Sequence, residues 1–284
     1  MEQRVLQLLQ ATTTPDTNII RNAEQGLLRL YQEQEFPFAL LAIATHSNIE
    51  RGSRKAALTT LRTYVLATWS PQLDETFKGA VYLNDEAKGR LREQLFAICI
   101  SDDKGVPVDN NIQALAAQVV SRIASVDFPD AWPSLFPALL NTLTSSTSDG
   151  PPHGALRVLS ELIDSGFTEE QFFGIARDLV SALQGLVVNT DRGLIVRAMS
   201  LSVFRACFET LEMVMADHGV AVKAFLDESL KVWMPFFFET IKTPLPEPEE
   251  HIGPMSDNDI RNQLLSTQWR GIIALKVQVI RVCE

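Results

Sequence analysis

The stretch Ile112–Ile123, IQALAAQVVSRI, places Ile112, Leu115, Ala116, Val119 and Ile123 at spacings of three and four. That is the period of one face of an α-helix. Asn111, Gln118 and Arg122 form a polar strip beside it. Working outward, Ile20–Tyr31 shows the same arrangement with Ile20, Ala23, Leu27, Leu30 and Tyr31, and Arg54–Trp69 with Ala57, Leu58, Leu61 and Val65. Ala155–Ile163, Ile195–Phe208 and Ile272–Val282 repeat it. No stretch alternates apolar and polar residues between hairpin turns, so strands are not expected. The chain reads as all-α.

Helix breakers separate these segments: Thr14-Pro15-Asp16, Phe36-Pro37, Ser70-Pro71, Val106-Pro107, Pro129, Pro133, Gly150-Pro151-Pro152, Asp191-Arg192-Gly193 and Thr243-Pro244. Asp16, Asn84 and Thr168 each precede an apolar-periodic run and are expected N-caps. About twelve helices result, joined by short turns. The small-residue centres Ala23, Ala57, Ala116, Ala155, Ala198 and Ala274 are separated by 34, 59, 39, 43 and 76 residues. Three of these spacings lie near the repeat length of a HEAT helix pair, about 40–47 residues. The two long ones contain insertions, Ser70–Leu83 and Thr243–Asn258. The expected fold is a right-handed α-solenoid of about six antiparallel HEAT pairs, each burying its apolar stripes only against its neighbours. Trp269–Glu284 is an apolar helical stripe with no later repeat to cover it. The array is therefore expected to be truncated at its C-terminus.

Composition bounds the function. Of 284 residues 46% are hydrophobic and 21% charged, which supplies a core and excludes a disordered chain. Three widely spaced cysteines, Cys99, Cys207 and Cys283, exclude a disulfide scaffold and a Cys-based zinc motif. A reducing compartment fits them. No leader and no apolar run of membrane-spanning length stands out, so a soluble intracellular protein without membrane insertion is expected. A net charge of −10 argues against direct nucleic-acid binding, which needs a positive footprint. The charge is uneven: Met1–Arg62 has 7 basic and 6 acidic residues, net +1, and the remainder 18 and 29, net −11. An acidic surface steers basic partners.

No catalytic set emerges. His46, His153, His218 and His251 are far apart, and no Gly-rich phosphate loop, Gly-x-Ser-x-Gly or Cys/His cluster occurs. Asp102-Asp103, in the polar turn Ser101–Asp109, reads as a solvated charge run rather than a metal pair. The expectation is a binding protein with no cofactor and no metal, not an enzyme. Two segments are more specific. Asp127–Pro137, DFPDAWPSLFP, interleaves three prolines with Phe128, Trp132, Leu135 and Phe136. It is expected to be a structural corner, with Trp132 buried and Pro133 in a first helical turn. Thr243–Ile260 carries Glu247, Glu249, Glu250, Asp257 and Asp259 and no Lys or Arg. Pro244, Pro246, Pro248 and Pro254 forbid a continuous helix there, so a mobile acidic loop is expected.

These residues resemble the N-terminal part of the importin-beta (karyopherin-beta) family of nuclear transport receptors. Asn22-Ala23-Glu24 through Leu27-Leu28 resembles the Ala-Glu-x-x-Leu element of the family's first repeat, and Arg54–Trp69 its second-repeat helix. Asp127–Leu135 is similar to the D-[WFY]-P-x-x-W-P-x-L corner of several large importins. His153–Glu161, HGALRVLSE, is similar to the corresponding stretch of the importin-nine branch, which imports core histones. The resemblance implies that residues 1–166 are the family's N-terminal repeats, binding the GTPase Ran in its GTP form through the second helix of each early pair. Residues 167–284 would be further repeats with an acidic Pro-rich insert at 243–258. On the polar stripes the Ran-binding candidates are Arg21, Gln25, Arg51, Arg54, Lys55, Arg62, Gln118, Arg122 and Arg157. The candidates for basic cargo such as core histones are Glu247, Glu249, Glu250, Asp257 and Asp259. Contacts with nuclear pore proteins and shuttling between cytoplasm and nucleus are implied as well. A HEAT scaffold with no role in transport is the alternative.

Overall fold

The computed structural model describes residues 1–73, 80–101, 110–164, 169–213, 215–245 and 267–283. Among these residues there are thirteen α-helices and no strand: α1 Glu2–Ala11, α2 Thr17–Arg29, α3 Phe36–Thr45, α4 Arg51–Thr68, α5 Asp85–Cys99, α6 Asn110–Asp127, α7 Leu135–Ser145, α8 Gly150–Asp164, α9 Glu169–Phe173, α10 Ala176–Val188, α11 Leu194–Met213, α12 Met215–Lys242 and α13 Thr267–Cys283. A 3-10 turn, Leu30–Gln32, extends α2. They form two compact units, Met1–Leu135 with Arg157–Gly166, and Phe136–Leu156 with Phe167–Glu284.

In the first unit α3 packs on α4 and α5, α4 packs on α6, and α5 packs on α6. In the second, α10 packs on α11 and α12, α11 on α12 and α13, and α12 on α13. α4 thus meets both its own partner α3 and the like helix α6 of the next pair. That is how amphipathic pairs bury their stripes by stacking. The buried residues on α4 include Ala57, Leu58, Leu61 and Val65, as the periodicity requires, together with Ser53, Tyr64, Ala67 and Thr68. On α6 the buried apolar positions are Ile112, Ala116, Ala117, Val119, Val120, Ile123 and Ala124, and Gln113, Ser121 and Asp127 are buried too. Leu115, expected in the core, is only half-buried. α6 faces α4 and α5 together, and its buried face is displaced toward Gln113, Ala117, Val120 and Ala124, which puts Leu115 on the side of Gln118 and Arg122.

The start signals work as expected. Asp16 Oδ1 accepts from the backbone N–H of Asn18 at 2.8 Å and of Ile19 at 3.3 Å, and Asn84 Oδ1 accepts from Ala87 N at 2.8 Å. Thr168 lies outside the described residues. Two expected breakers turn out to be helix starters. Pro37 stands in the first turn of α3, and Pro151 and Pro152 in the first turn of α8. A proline lacks only an N–H that has no intrahelical partner there. Pro133, expected in a first turn, instead precedes α7 in the turn leading to Leu135.

The corner Asp127–Pro137 is built around one carboxylate. Asp127 Oδ2 pairs with Arg92 Nη1 at 2.8 Å, and Asp127 Oδ1 accepts from Trp69 Nε1 at 3.1 Å. The Asp127 carbonyl accepts from the N–H of Ala131 at 2.7 Å and of Trp132 at 2.8 Å. Arg92 Nη1 also donates to Ala131 O at 2.7 Å, and its guanidinium lies 5.7 Å from the Trp132 ring centre. Trp132 is 7% exposed, as the sequence led one to expect. Lys88 closes the assembly, donating to Trp69 O at 2.8 Å beneath the Trp69 ring. The Phe128-Pro129 bond is cis.

Candidate functional site

The candidate basic and amide side chains sit on α2, α4, α6 and the part of α8 that belongs to the first unit. On α2, Ala23 and Leu27 are buried, and that orientation leaves Arg21 and Gln25 on the exposed side. Leu28, on the same stretch, is 44% exposed. On α4 the apolar face turns Arg51 to solvent and leaves Lys55 and Arg62 half-buried at its margin. Gln118 and Arg122 take the same marginal position on α6, and Arg157 on α8.

Two of these residues meet. Arg62 Nη1 donates to Gln118 Oε1 at 3.4 Å, joining α4 to α6 across 56 positions. Arg62 Nε is buried and makes no hydrogen bond among the described residues. Toward α8, Ser121 Oγ donates to Glu161 O at 2.9 Å. Burial holds the Arg157 guanidinium below its ordinary pKa, and the neighbouring Cys99 thiol and Glu161 partly oppose that shift. The same burial pushes Cys99 upward, so it stays a neutral thiol.

Arg54 has a different task. Its Nε donates to Ala44 O at 2.8 Å, covering a carbonyl in the last turn of α3. Ten positions likewise separate Arg197 from Val187, and Arg197 Nε donates to Val187 O at 2.8 Å at the end of α10. The last four carbonyls of a helix have no partner within it, so the first turn of the following helix supplies one. Gln113 does this for α5 through Cys99 O at 3.3 Å. Arg192, in the turn before α11, instead braces the loop after α7, donating to Ser146 O and to Ser148 O, the latter at 2.8 Å. This recurring role was not read from the sequence, although an Arg ten residues after a helix's closing carbonyl was there to be seen.

The acidic candidates Glu247, Glu249, Glu250, Asp257 and Asp259 lie outside the described residues, as does Asp102-Asp103. In the second unit a groove of about 500 Å³ runs between α7 and α10, lined by Leu140, Asn141, Asp178, Ser181, Gly185 and Arg192 among others. It has no histidine or cysteine in its lining. Among the described residues no group of three or more His, Cys, Asp or Glu converges to hold a metal ion. No described helix is long and apolar enough to cross a membrane.

The comparisons with known proteins agree with this geometry. Residues 23–101 match the importin-beta N-terminal domain. Importin subunit beta-5 of Schizosaccharomyces pombe is 32% identical over 259 residues, which is 90% of this chain and 25% of the relative. Importin-9 of Drosophila melanogaster is 23% identical over 161 residues, 57% of this chain and 15% of the relative. The chain thus spans a quarter or less of these relatives. Among solved structures, the Kap95:Nup1 complex superposes with a TM-score of 0.66 at 16% identity, over 99% of this chain and 29% of that one. Cse1 in its cargo-free state gives 0.63 at 15% identity, over 98% and 28%. At such identities the superpositions show the fold alone, and it is the HEAT-repeat solenoid expected from the helix spacing. From the domain match at residues 23–101, the relatives and this fold, the chain belongs to the importin-beta (karyopherin-beta) family.

Proposed function

We propose that this chain is the N-terminal part of a nuclear transport receptor whose early repeats bind Ran in its GTP form. The observation that carries the reading is the match of residues 23–101, which contain α4, to the importin-beta N-terminal domain. Structural neighbours support it: one is Kap95 in complex with Nup1, and Kap95p binding is described as inducing the switch loops of RanGDP to adopt the GTP-bound conformation. In this reading residues 1–166 are the Ran-binding region and residues 167–284 are further repeats. The contact residues are Arg21, Gln25, Arg51, Lys55, Arg62, Arg122 and Arg157, and the candidate Gln118 acts through Arg62, to which it is hydrogen-bonded. Arg54 contributes indirectly, by holding α3 to α4. The protein works by binding and not by catalysis. It shuttles between cytoplasm and nucleus and engages nuclear pore proteins.

The test is the affinity of the 284-residue chain for Ran loaded with GTP and with GDP. Preference for the GTP form is expected, and Lys55→Glu with Arg62→Glu should weaken it while leaving the fold intact. A chain that binds both forms alike, or neither, is a HEAT scaffold outside this cycle.

The second part of the proposal concerns cargo. Glu247, Glu249, Glu250, Asp257 and Asp259 repel one another, and a basic partner such as a core histone dimer relieves that repulsion. Exposed charges act mainly on association rate and are screened by salt. Neutralising all five should slow association at low salt and matter less as salt rises. Stopped-flow traces that coincide for wild type and variant at every salt concentration would exclude the segment from cargo binding.

A further inference from the structure

Among the described candidates, Arg62 carries a buried guanidinium nitrogen that makes no hydrogen bond. It carries five N–H donors. One of them reaches Gln118 Oε1 at 3.4 Å, longer than an ordinary N–H···O bond of about 2.7–3.2 Å. Its Nε is shut off from solvent and has no acceptor among the described residues. A guanidinium is a planar fork matched to a carboxylate, which can take two short charge-assisted bonds at once. Gln118 offers a neutral acceptor on the adjacent helix. It holds the fork at the α4–α6 seam without neutralising it.

We propose that Arg62 is a carboxylate-specific contact of the partner surface, and that Gln118 is its positioning residue, keeping the guanidinium placed but unneutralised until an acidic side chain of the partner arrives. The proposal rests on the reading that this face binds Ran-GTP, and it names the chemistry recognised there. On binding, a carboxylate replaces one long bond to a neutral amide with a two-point ion pair. The two Nη groups are then paired with the carboxylate oxygens. The amide is chosen over a carboxylate at position 118 for a physical reason. A glutamate there would capture Arg62 within the chain, and the partner would have to break that ion pair to bind.

Three single variants test this with the 284-residue chain, read as equilibrium affinity for Ran-GTP beside each variant's melting temperature. Gln118→Glu should weaken binding about tenfold or more, the scale of one hydrogen bond to a charged group. Gln118→Ala should change it less than about threefold, because the fork stays available even though it is less well placed. Arg62→Lys keeps the charge and loses the fork, so it should also weaken binding about tenfold. Wild-type affinity in Arg62→Lys would mean that charge alone suffices and overturns the proposal, and so would wild-type affinity in Gln118→Glu. If Gln118→Glu also lowers the melting temperature, Arg62→Lys carries the decision. A wild-type chain that does not bind Ran-GTP removes the Ran reading and this proposal together. A wild-type chain that binds while all three variants match it removes only the proposal.

Discussion

Trp69 and Asp127 stand 58 positions apart, and the indole Nε1 donates to the carboxylate Oδ1 at 3.1 Å in the interior of the first unit. The other oxygen of Asp127 holds Arg92 at 2.8 Å. One carboxylate therefore ties the end of α4, the middle of α5 and the end of α6. Asp127→Ala leaves a largely buried guanidinium and an indole N–H without their acceptor. Breaking a buried pair on one side costs about 3–5 kcal/mol. Urea unfolding should show a loss of that order. Asp127→Asn should lose less, because its amide oxygen still accepts from Trp69.

Arg54 and Arg197 should respond alike to substitution. Each covers a helix-end carbonyl at 2.8 Å, so alanine leaves that acceptor without its partner, at about 1–3 kcal/mol. Lysine should not rescue either position, because the bond is made by Nε of a guanidinium. For Arg54→Ala, a lower melting temperature with unchanged Ran-GTP affinity at low temperature would separate this structural role from a direct contact.

At Gly271, α13 approaches Leu194 at the start of α11. A Cβ at this position would lie 2.5 Å from Leu194 Cβ, which cannot swing aside as a flexible side-chain end would. Gly271→Ala should therefore destabilise the second unit despite alanine's better helix propensity. The cost is that of overpacking, about 1–3 kcal/mol. Calorimetry of Gly271→Ala beside Gly185→Ala provides the contrast, since a Cβ on Gly185 meets nothing within 4 Å.

Tyr31 and Tyr64 pack edge to face with centroids 5.1 Å apart. Burial pushes both phenols up to about 12. In the unfolded chain they ionise near ~10. The folded state therefore holds these protons more tightly. The stability this contributes is complete below pH ~10 and is lost as pH rises toward ~12. The melting temperature should fall through that window. Tyr64→Phe should flatten the fall, and tyrosinate absorbance should lag in the folded protein. A fall unchanged in Tyr64→Phe would assign it to other groups.

Much of the fold was legible in the residue order because amphipathic period and cap chemistry are local properties. Ala57, Leu58, Leu61 and Val65 could face inward only as one helical stripe, and Asp16 and Asn84 cap helices with groups two or three residues away. The burial of Trp132 followed from its own size and its flanking prolines. What the local pattern does not contain is the partner across the gap. The meeting of Trp69 and Arg92 on Asp127, the approach of α13 to α11 at Gly271, and the seam between Arg62 and Gln118 arise only when separate helices stack. The same holds for Arg54. On its own helix it is one more basic residue on a polar stripe, and only the position of the α3 carboxy-terminus turns it toward Ala44 O. Helix period depends on neighbours three and four residues away, so one sequence determines it. Which side chain satisfies which buried donor or acceptor depends on atoms brought together from 10 to 58 positions apart, so tertiary packing decides it.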